Sequence, residues 1–156
     1  MIGSMDPKPV SVLVIENHPL MREALCNAVA EEPDLQVARV DGGPTQLLMI
    51  SGQEDVILLP ENANLILLSL GNPGLKELDA LKALRRSYPD IPILALTSNE
   101  VPGQEEAALA TGAQAIVAKS ASRSELIHTL REMWGKISIH HQKSIQQEVN
   151  EKAPQP

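Results

Sequence analysis

The sequence predicts an open, doubly wound α/β fold: a parallel sheet of five strands in three layers, with helices on both faces. Three observations carry this. The runs Ser11-Val-Leu-Val-Ile15, Leu65-Ile-Leu-Leu68 and Ile93-Leu-Ala-Leu96 are apolar without alternation, the pattern of strands buried on both sides. Strand-like and helix-like stretches alternate along the chain in five rounds, which implies parallel strands joined by covering helices. Each apolar run also ends on small polar or charged residues, and in such sheets the carboxyl ends of the strands are where ligands and chemistry sit. Ser69, at the end of the central run and ahead of Gly71-Asn72-Pro73-Gly74, either simply ends a strand or occupies such a site.

Composition sets limits. The 156 residues fit one domain with a single core, and 43% are hydrophobic, but there is no Phe, one Tyr and one Trp. Leu, Ile, Val and Ala must therefore fill the interior. A formal charge of −7 argues against this domain binding nucleic acid unaided, because phosphate contacts need a basic face. The single cysteine, Cys26, excludes an internal disulfide and reads as a small core or boundary residue in a reducing, cytoplasmic setting. No run approaches the ~18 apolar residues of a membrane span, and no export signal is expected.

The elements follow in order. Residues 1–9 read as a flexible leader, and strand one covers Ser11–Ile15 before Glu16-Asn17-His18-Pro19. Asn17 is a candidate N-cap for a helix from about His18 to Glu31, with Pro19 in its first turn. Leu20, Ala24, Leu25, Ala28 and Val29 give its apolar stripe. Leu35–Val40 alternates as a short strand, Asp41–Pro44 turns, and Thr45–Ile50 allows a short helix. Val56–Leu59 reads either as an extra edge strand or as the apolar end of that helix, before Pro60.

After the central strand, a helix over Lys76–Ser87 buries Leu78, Leu81 and Leu84 and shows Lys82, Arg85 and Arg86 to solvent. Ile93–Leu96 is the next strand, followed by Thr97-Ser98 and a helix from Pro102 to Thr111 that stops at Gly112. Ala115–Ala118 is the last strand, ending at Lys119. Ser122 then caps a helix through about Trp134, with Glu125 three residues on at capping-box spacing.

Glu16, Asn17, Ser69, Thr97 and Lys119 should thus gather at one rim of the sheet. This set of residue types and spacings resembles the receiver domain of two-component response regulators. The resemblance covers about Val10 to Trp134. It rests on Glu-Asn-His-Pro after strand one, Leu-Leu-Ser-Leu-Gly-Asn-Pro-Gly after strand three, Leu-Thr-Ser after strand four, and Gly112-Ala113 seven and six residues before Lys119. Asn-His-Pro-Leu-Met-Arg and Lys-Ser-Ala-Ser-Arg-Ser-Glu-Leu are similar to the branch usually fused to a helix-turn-helix DNA-binding domain. The resemblance implies a flavodoxin-like fold with strand order 2-1-3-4-5, and a signalling module rather than an enzyme.

The family's site is carried over position by position. The acidic pair that holds Mg²⁺ corresponds to Glu16 and Asn17, and the aspartate that accepts phosphate corresponds to Ser69. The phosphoryl-binding Thr or Ser is matched by Thr97 and the lysine by Lys119, while Ile116 stands where many members place an aromatic. Two reactive positions depart from the pattern. An acyl phosphate needs an ionised carboxylate nucleophile that shares Mg²⁺ with the phosphoryl group. A serine hydroxyl is neutral, and Mg²⁺ favours carboxylates. Phosphotransfer at Ser69 is therefore expected to fail, with Mg²⁺ binding lost or weak, no other cofactor, and no resident metal. Thr97 becomes a strand-end hydroxyl, and Lys119 either faces solvent or pairs with Glu16.

The expected role is phosphorylation-independent: binding a protein partner, or dimerising, through the last two helices and strands. Ala107, Ala108, Ala110 and Thr111 near Ile127, Leu130 and Met133 supply that face, unless the alanines point into the core. DNA would be reached only through a separate output domain. Two rivals stand beside it: modification of Ser69 by a serine kinase, and a small-molecule sensor holding a metabolite between Glu16, Ser69 and Lys119. His18 reads as a helix-start residue, and His140-His141 as solvent-facing. Residues 135–156 read as a linker or tail, in which Ile145 and Val149 suit a weak amphipathic helix.

Overall fold

The structure, a computed structural model, describes residues 8–16, 18–38, 63–70, 75–98 and 102–136. Asn17, the 41–44 turn, the proposed helix at 45–50, the ambiguous stretch at 51–62, the breaker at 71–74 and the tail from 137 lie outside these, as does most of the leader.

Five strands form one parallel sheet in the order β2-β1-β3-β4-β5, as the family resemblance implies. They are β1 (Val10–Ile15), β2 (Leu35–Ala38), β3 (Leu65–Ser69), β4 (Ile93–Thr97) and β5 (Ala115–Ala118). Three helices alternate with them: α1 (Pro19–Ala30), α2 (Leu75–Ser87) and α3 (Gln104–Thr111). A fourth, α4, covers 123–136. Every residue of β3 and β4 is buried, because side chains of a central strand alternate between two helix-covered faces. One face packs Leu13, Ile15, Ile66, Leu68, Ile93 and Ala95 against Leu81 and Leu84 of α2 and Ala108 of α3. The other packs Val12, Val14, Leu65, Leu67, Leu94 and Leu96 against Leu25 and Val29 of α1 and Leu126, Ile127, Leu130 and Met133 of α4.

The helices differ from expectation in instructive ways. The cap of α1 is His18, which makes no side-chain capping bond, rather than Asn17. Leu20 is 73% exposed and Ala24 is exposed too, while Met21 and Cys26 pack against the core in their place. The reason is register. Leu20 precedes Leu25 by five residues, which puts it on the far side of a helix with about 3.6 residues per turn. At α4 the expected cap forms, with Ser122 Oγ accepting the Glu125 N–H at 3.1 Å. The helix continues to 136, so a boundary after Trp134 falls inside it.

The composite docking face does not exist as expected. Ile127, Leu130 and Met133 belong to the core beneath α4, and Ala108 belongs to the core on the opposite side of the sheet. Of the expected face only Ala110 is exposed, with Leu109 of the same helix exposed beside it. Ile116 is half-buried and packs toward the α2 and α3 side. Among the described residues, no helix is long and apolar enough to cross a membrane.

Candidate functional site

Strand register assembles the rim. Ile15 pairs with Leu68, so Glu16 and Ser69 follow side by side at the ends of the two central strands. Ser69 pairs with Leu96, and Thr97 with Ala118. The Lys119 N–H donates to the Thr97 carbonyl at 2.8 Å, and the Leu70 N–H to the Leu96 carbonyl at 2.9 Å, which holds the strand ends together past the last paired residues. The structure thus brings four predicted residues, Glu16, Ser69, Thr97 and Lys119, to one edge. Asn17 lies outside the described residues. Ile116 sits lower, opposite Ala95.

The polar side chains here are unusually short of partners. Glu16, Ser69 and Thr97 are buried at 6%, 4% and 0% exposure. Glu16 Oε1 accepts the His18 N–H at 3.0 Å, at the start of α1. Glu16 Oε2, Ser69 Oγ and Thr97 Oγ1 are buried with no hydrogen-bond partner. Native interiors rarely leave such groups unmet, and each costs about 1–3 kcal/mol. They cluster at the carboxyl ends of three adjacent strands, the edge at which open α/β sheets bind ligands.

Lys119 does not compensate. Among the described residues no ion pair joins it to Glu16, whose carboxylate is turned toward the α1 N-terminus and has one oxygen unpartnered. Lys119 instead borders a groove of about 280 Å³ between α1 and the start of α4, with Met21, Leu25, Ala121 and Leu126 among its walls.

Mg²⁺, a hard cation, is held by carboxylates in near-octahedral geometry. The described rim offers one carboxylate, with one oxygen already engaged by the His18 N–H, beside two hydroxyls and an ammonium. Among the described residues, no group of three His, Cys, Asp or Glu side chains is placed to share a metal. His18 is exposed.

Two residues that sequence reading passed over shape the surroundings. Arg85, expected in solvent, is half-buried. Its guanidinium donates to the carbonyls of Gly112, Pro89 and Ile91 at 2.6, 3.0 and 2.8 Å and to Gln114 Oε1 at 2.7 Å. Burial, partly offset by Asp90, lowers its pKa. Gln104 is buried in the first turn of α3, and its Oε1 accepts the Ser98 N–H at 2.7 Å. Neither signal is legible locally, since an Arg near a helix end and a Gln after Pro-Gly are ordinary surface residues.

Comparison with known proteins converges on one family. The family profile "Response regulator receiver domain" matches residues 12–131. The response regulator GacA of Pseudomonas protegens is 30% identical over 123 residues, covering 78% of this chain and 54% of its own length. The glycerol metabolism activator of Pseudomonas putida is 28% identical over 126 residues, covering 78% and 52%. The chain thus spans about half the length of the curated relatives it matches. Among solved structures, NtrX from Brucella abortus in complex with ADP superposes with a TM-score of 0.73 at 14% identity, over 93% of this chain and 30% of that one. A likeness at that identity speaks for the fold alone. The sheet order, the rim built from four strand ends and the matched span lead to one conclusion: this chain belongs to the receiver domain family of two-component response regulators.

Proposed function

We propose that this receiver signals by binding, without accepting phosphate, and that it is not an enzyme. The observation that carries the reading is the pair Glu16 and Ser69, buried side by side at the ends of the two central strands. Ser69 stands where a phosphoaccepting aspartate is expected. Its hydroxyl is neutral at physiological pH and has no partner to take its proton, so it is a weak nucleophile. With Asn17 in place of a second acidic residue, one carboxylate remains beside Lys119, too little negative charge to retain Mg²⁺.

Burial bears on the alternatives. A serine kinase needs its target hydroxyl in an accessible, extended segment, whereas Ser69 lies inside the central sheet at 4% exposure. A small-molecule sensor finds more support, because three unpartnered buried oxygens at one rim are what a polar ligand would satisfy. The receiver unit takes in residues 10–136, to the end of α4, in a cytoplasmic protein. Its contact with a protein partner or a second copy uses the edge of β5 with the exposed sides of α3 and α4, where Leu109 is 53% exposed. DNA is engaged only by a separate output domain.

The test compares the wild type with Ser69→Asp combined with Asn17→Asp, measuring thermal stability and oligomer size with and without beryllofluoride and Mg²⁺. The wild type is expected to show no response and the double variant to regain one. A Mg²⁺-dependent shift in the wild type would overturn the reading.

A further inference from the structure

Glu16 and Lys119 bring opposite charges to one rim and do not pair. Each is left with a bond to make. Glu16 is buried, and its Oε2 has no hydrogen-bond partner. A buried carboxylate oxygen in that state calls for a donor, preferably a charged one. Ser69 Oγ, at the end of the neighbouring strand, is buried and unpartnered as well. Lys119 is half-buried and, among the described residues, in no ion pair.

Strand alternation puts these groups on the same face of the sheet as an apolar groove. Val14 of β1 and Leu67 of β3 pack on the α1 and α4 side, so Glu16 and Ser69, two residues further on, face that side too. There Leu96 and Val117 join Met21, Ala24, Leu25 and Leu126 in walling the groove of about 280 Å³ that Lys119 borders. This is close to the lower limit of small-molecule pockets, about 300 Å³. No aromatic ring stands in its walls. Of the two cations that line it, Arg123 is held by Glu31, which leaves Lys119 to meet a ligand.

We propose that this site binds an aliphatic amino acid as its zwitterion. The ammonium donates to Glu16 Oε2 and Ser69 Oγ, the carboxylate accepts from Lys119, and the side chain enters the groove. A plain amine would leave Lys119 unmatched and add a second cation beside it. A plain carboxylic acid would bring an anion toward the Glu16 carboxylate. Only a ligand carrying both charges meets both residues without adding net charge to a half-buried site. Occupancy by an amino acid rests on the reading that the rim holds neither Mg²⁺ nor a phosphoryl group, and it names the class of molecule the rim would sense instead.

Isothermal titration of the full chain with L-leucine, L-isoleucine, L-valine and L-methionine tests it, each beside its decarboxylated amine and its deaminated acid. At least one amino acid should bind, and its two half-ligands should each bind about tenfold more weakly or worse. Glu16→Gln and Lys119→Met should each weaken the best ligand about tenfold or more, and Ser69→Ala about threefold to tenfold. Ala24→Leu, which fills the groove from an exposed position in its wall, should abolish binding. Thermal melts show whether each variant is folded, and the half-ligand comparison decides where one is not. An amino acid bound no better than a half-ligand would overturn the assignment, as would unchanged affinity in Glu16→Gln and Lys119→Met. So would silence to all four up to about 10 mM. Beryllofluoride with Mg²⁺ is titrated in the same assay. Silence to it and to the amino acids removes the ligand and leaves phosphate-independent signalling standing. A Mg²⁺-dependent response in the wild type removes that reading, and the ligand with it.

Discussion

Ser11 and Ser69 offer a comparison that isolates what is unusual at the rim. Both are serines at the ends of buried strands, at 2% and 4% exposure. Ser11 Oγ accepts from Gln36 Nε2 at 2.5 Å, whereas Ser69 Oγ has no partner. Alanine at either position removes one hydroxyl and little volume. At Ser11 the change breaks a bond to a half-solvated amide and should destabilise by about 1 kcal/mol. At Ser69 it relieves a buried, unmatched polar group and should stabilise by about 1 kcal/mol. Thr97→Val, nearly isosteric and also unpartnered at 0% exposure, should add about 1 kcal/mol more. Strand alternation sends Ser69 toward the α1 and α4 side and Thr97 toward the α2 and α3 side, so the two effects should sum to within about 0.5 kcal/mol.

Urea denaturation measures this directly. With a slope of about 2 kcal/mol/M, Ser69→Ala with Thr97→Val should raise the midpoint by about 1 M, with the slope unchanged. Ser11→Ala should lower it by about half as much. A destabilisation of more than about 1 kcal/mol in Ser69→Ala would sink the reasoning. It would mean that the Ser69 hydroxyl is bonded in solution and that the rim is a satisfied polar network.

Two further predictions follow from neighbouring groups. Glu16→Gln keeps an acceptor for the His18 N–H and removes a buried charge, so it should be more stable than wild type, and Glu16→Ala, which loses that bond, less stable by about 1 kcal/mol. Thermal melts give the ranking, and Glu16→Gln falling below Glu16→Ala would reveal a cation paired with the carboxylate in solution. On the α4 side, hydrogen bonds from Arg131 hold the Asp34 carboxyl below its ordinary 3.8. A carboxyl depressed by folding contributes stability that is present above its unfolded pKa and lost as pH falls through the lower, folded one. The difference between wild type and Asp34→Asn should therefore close below about pH 4 and shrink in salt, since the pair is half-exposed. A pH-independent difference would assign the effect to packing.

The strands were legible because burial on both faces forces runs such as Leu65–Leu68 and Ile93–Leu96 to be apolar at every position, a constraint written entirely in local sequence. The rim followed from topology, since parallel strands must end on one edge. What local sequence does not encode is which way a polar side chain turns once there. Of the two readings of Lys119, facing solvent or pairing with Glu16, the pair does not form; the Glu16 carboxylate binds the backbone N–H two residues on. Arg85 was placed in solvent together with Lys82 and Arg86 of the same helix, yet its acceptors include a carbonyl 27 residues distant. The stripe of α1 was misjudged by one position because apolar residues at 20 and 21 both fit a helical period, and only the angle the helix takes on the sheet chooses between them.

These same features let the side chains at the rim vary while the scaffold keeps its shape. The strand ends are bound to one another through the backbone, by Lys119 N–H to the Thr97 carbonyl and by Leu70 N–H to the Leu96 carbonyl. Ser98 is fixed through its N–H to Gln104. None of these bonds uses the side chain of residue 69, 17 or 119. The side chains at the rim are therefore free to change without moving the frame that presents them, at the cost of unmet polar groups rather than of fold. That independence is what makes placing Asp at 69 and 17 a clean experiment: the backbone bonds that hold the strand ends do not depend on either side chain.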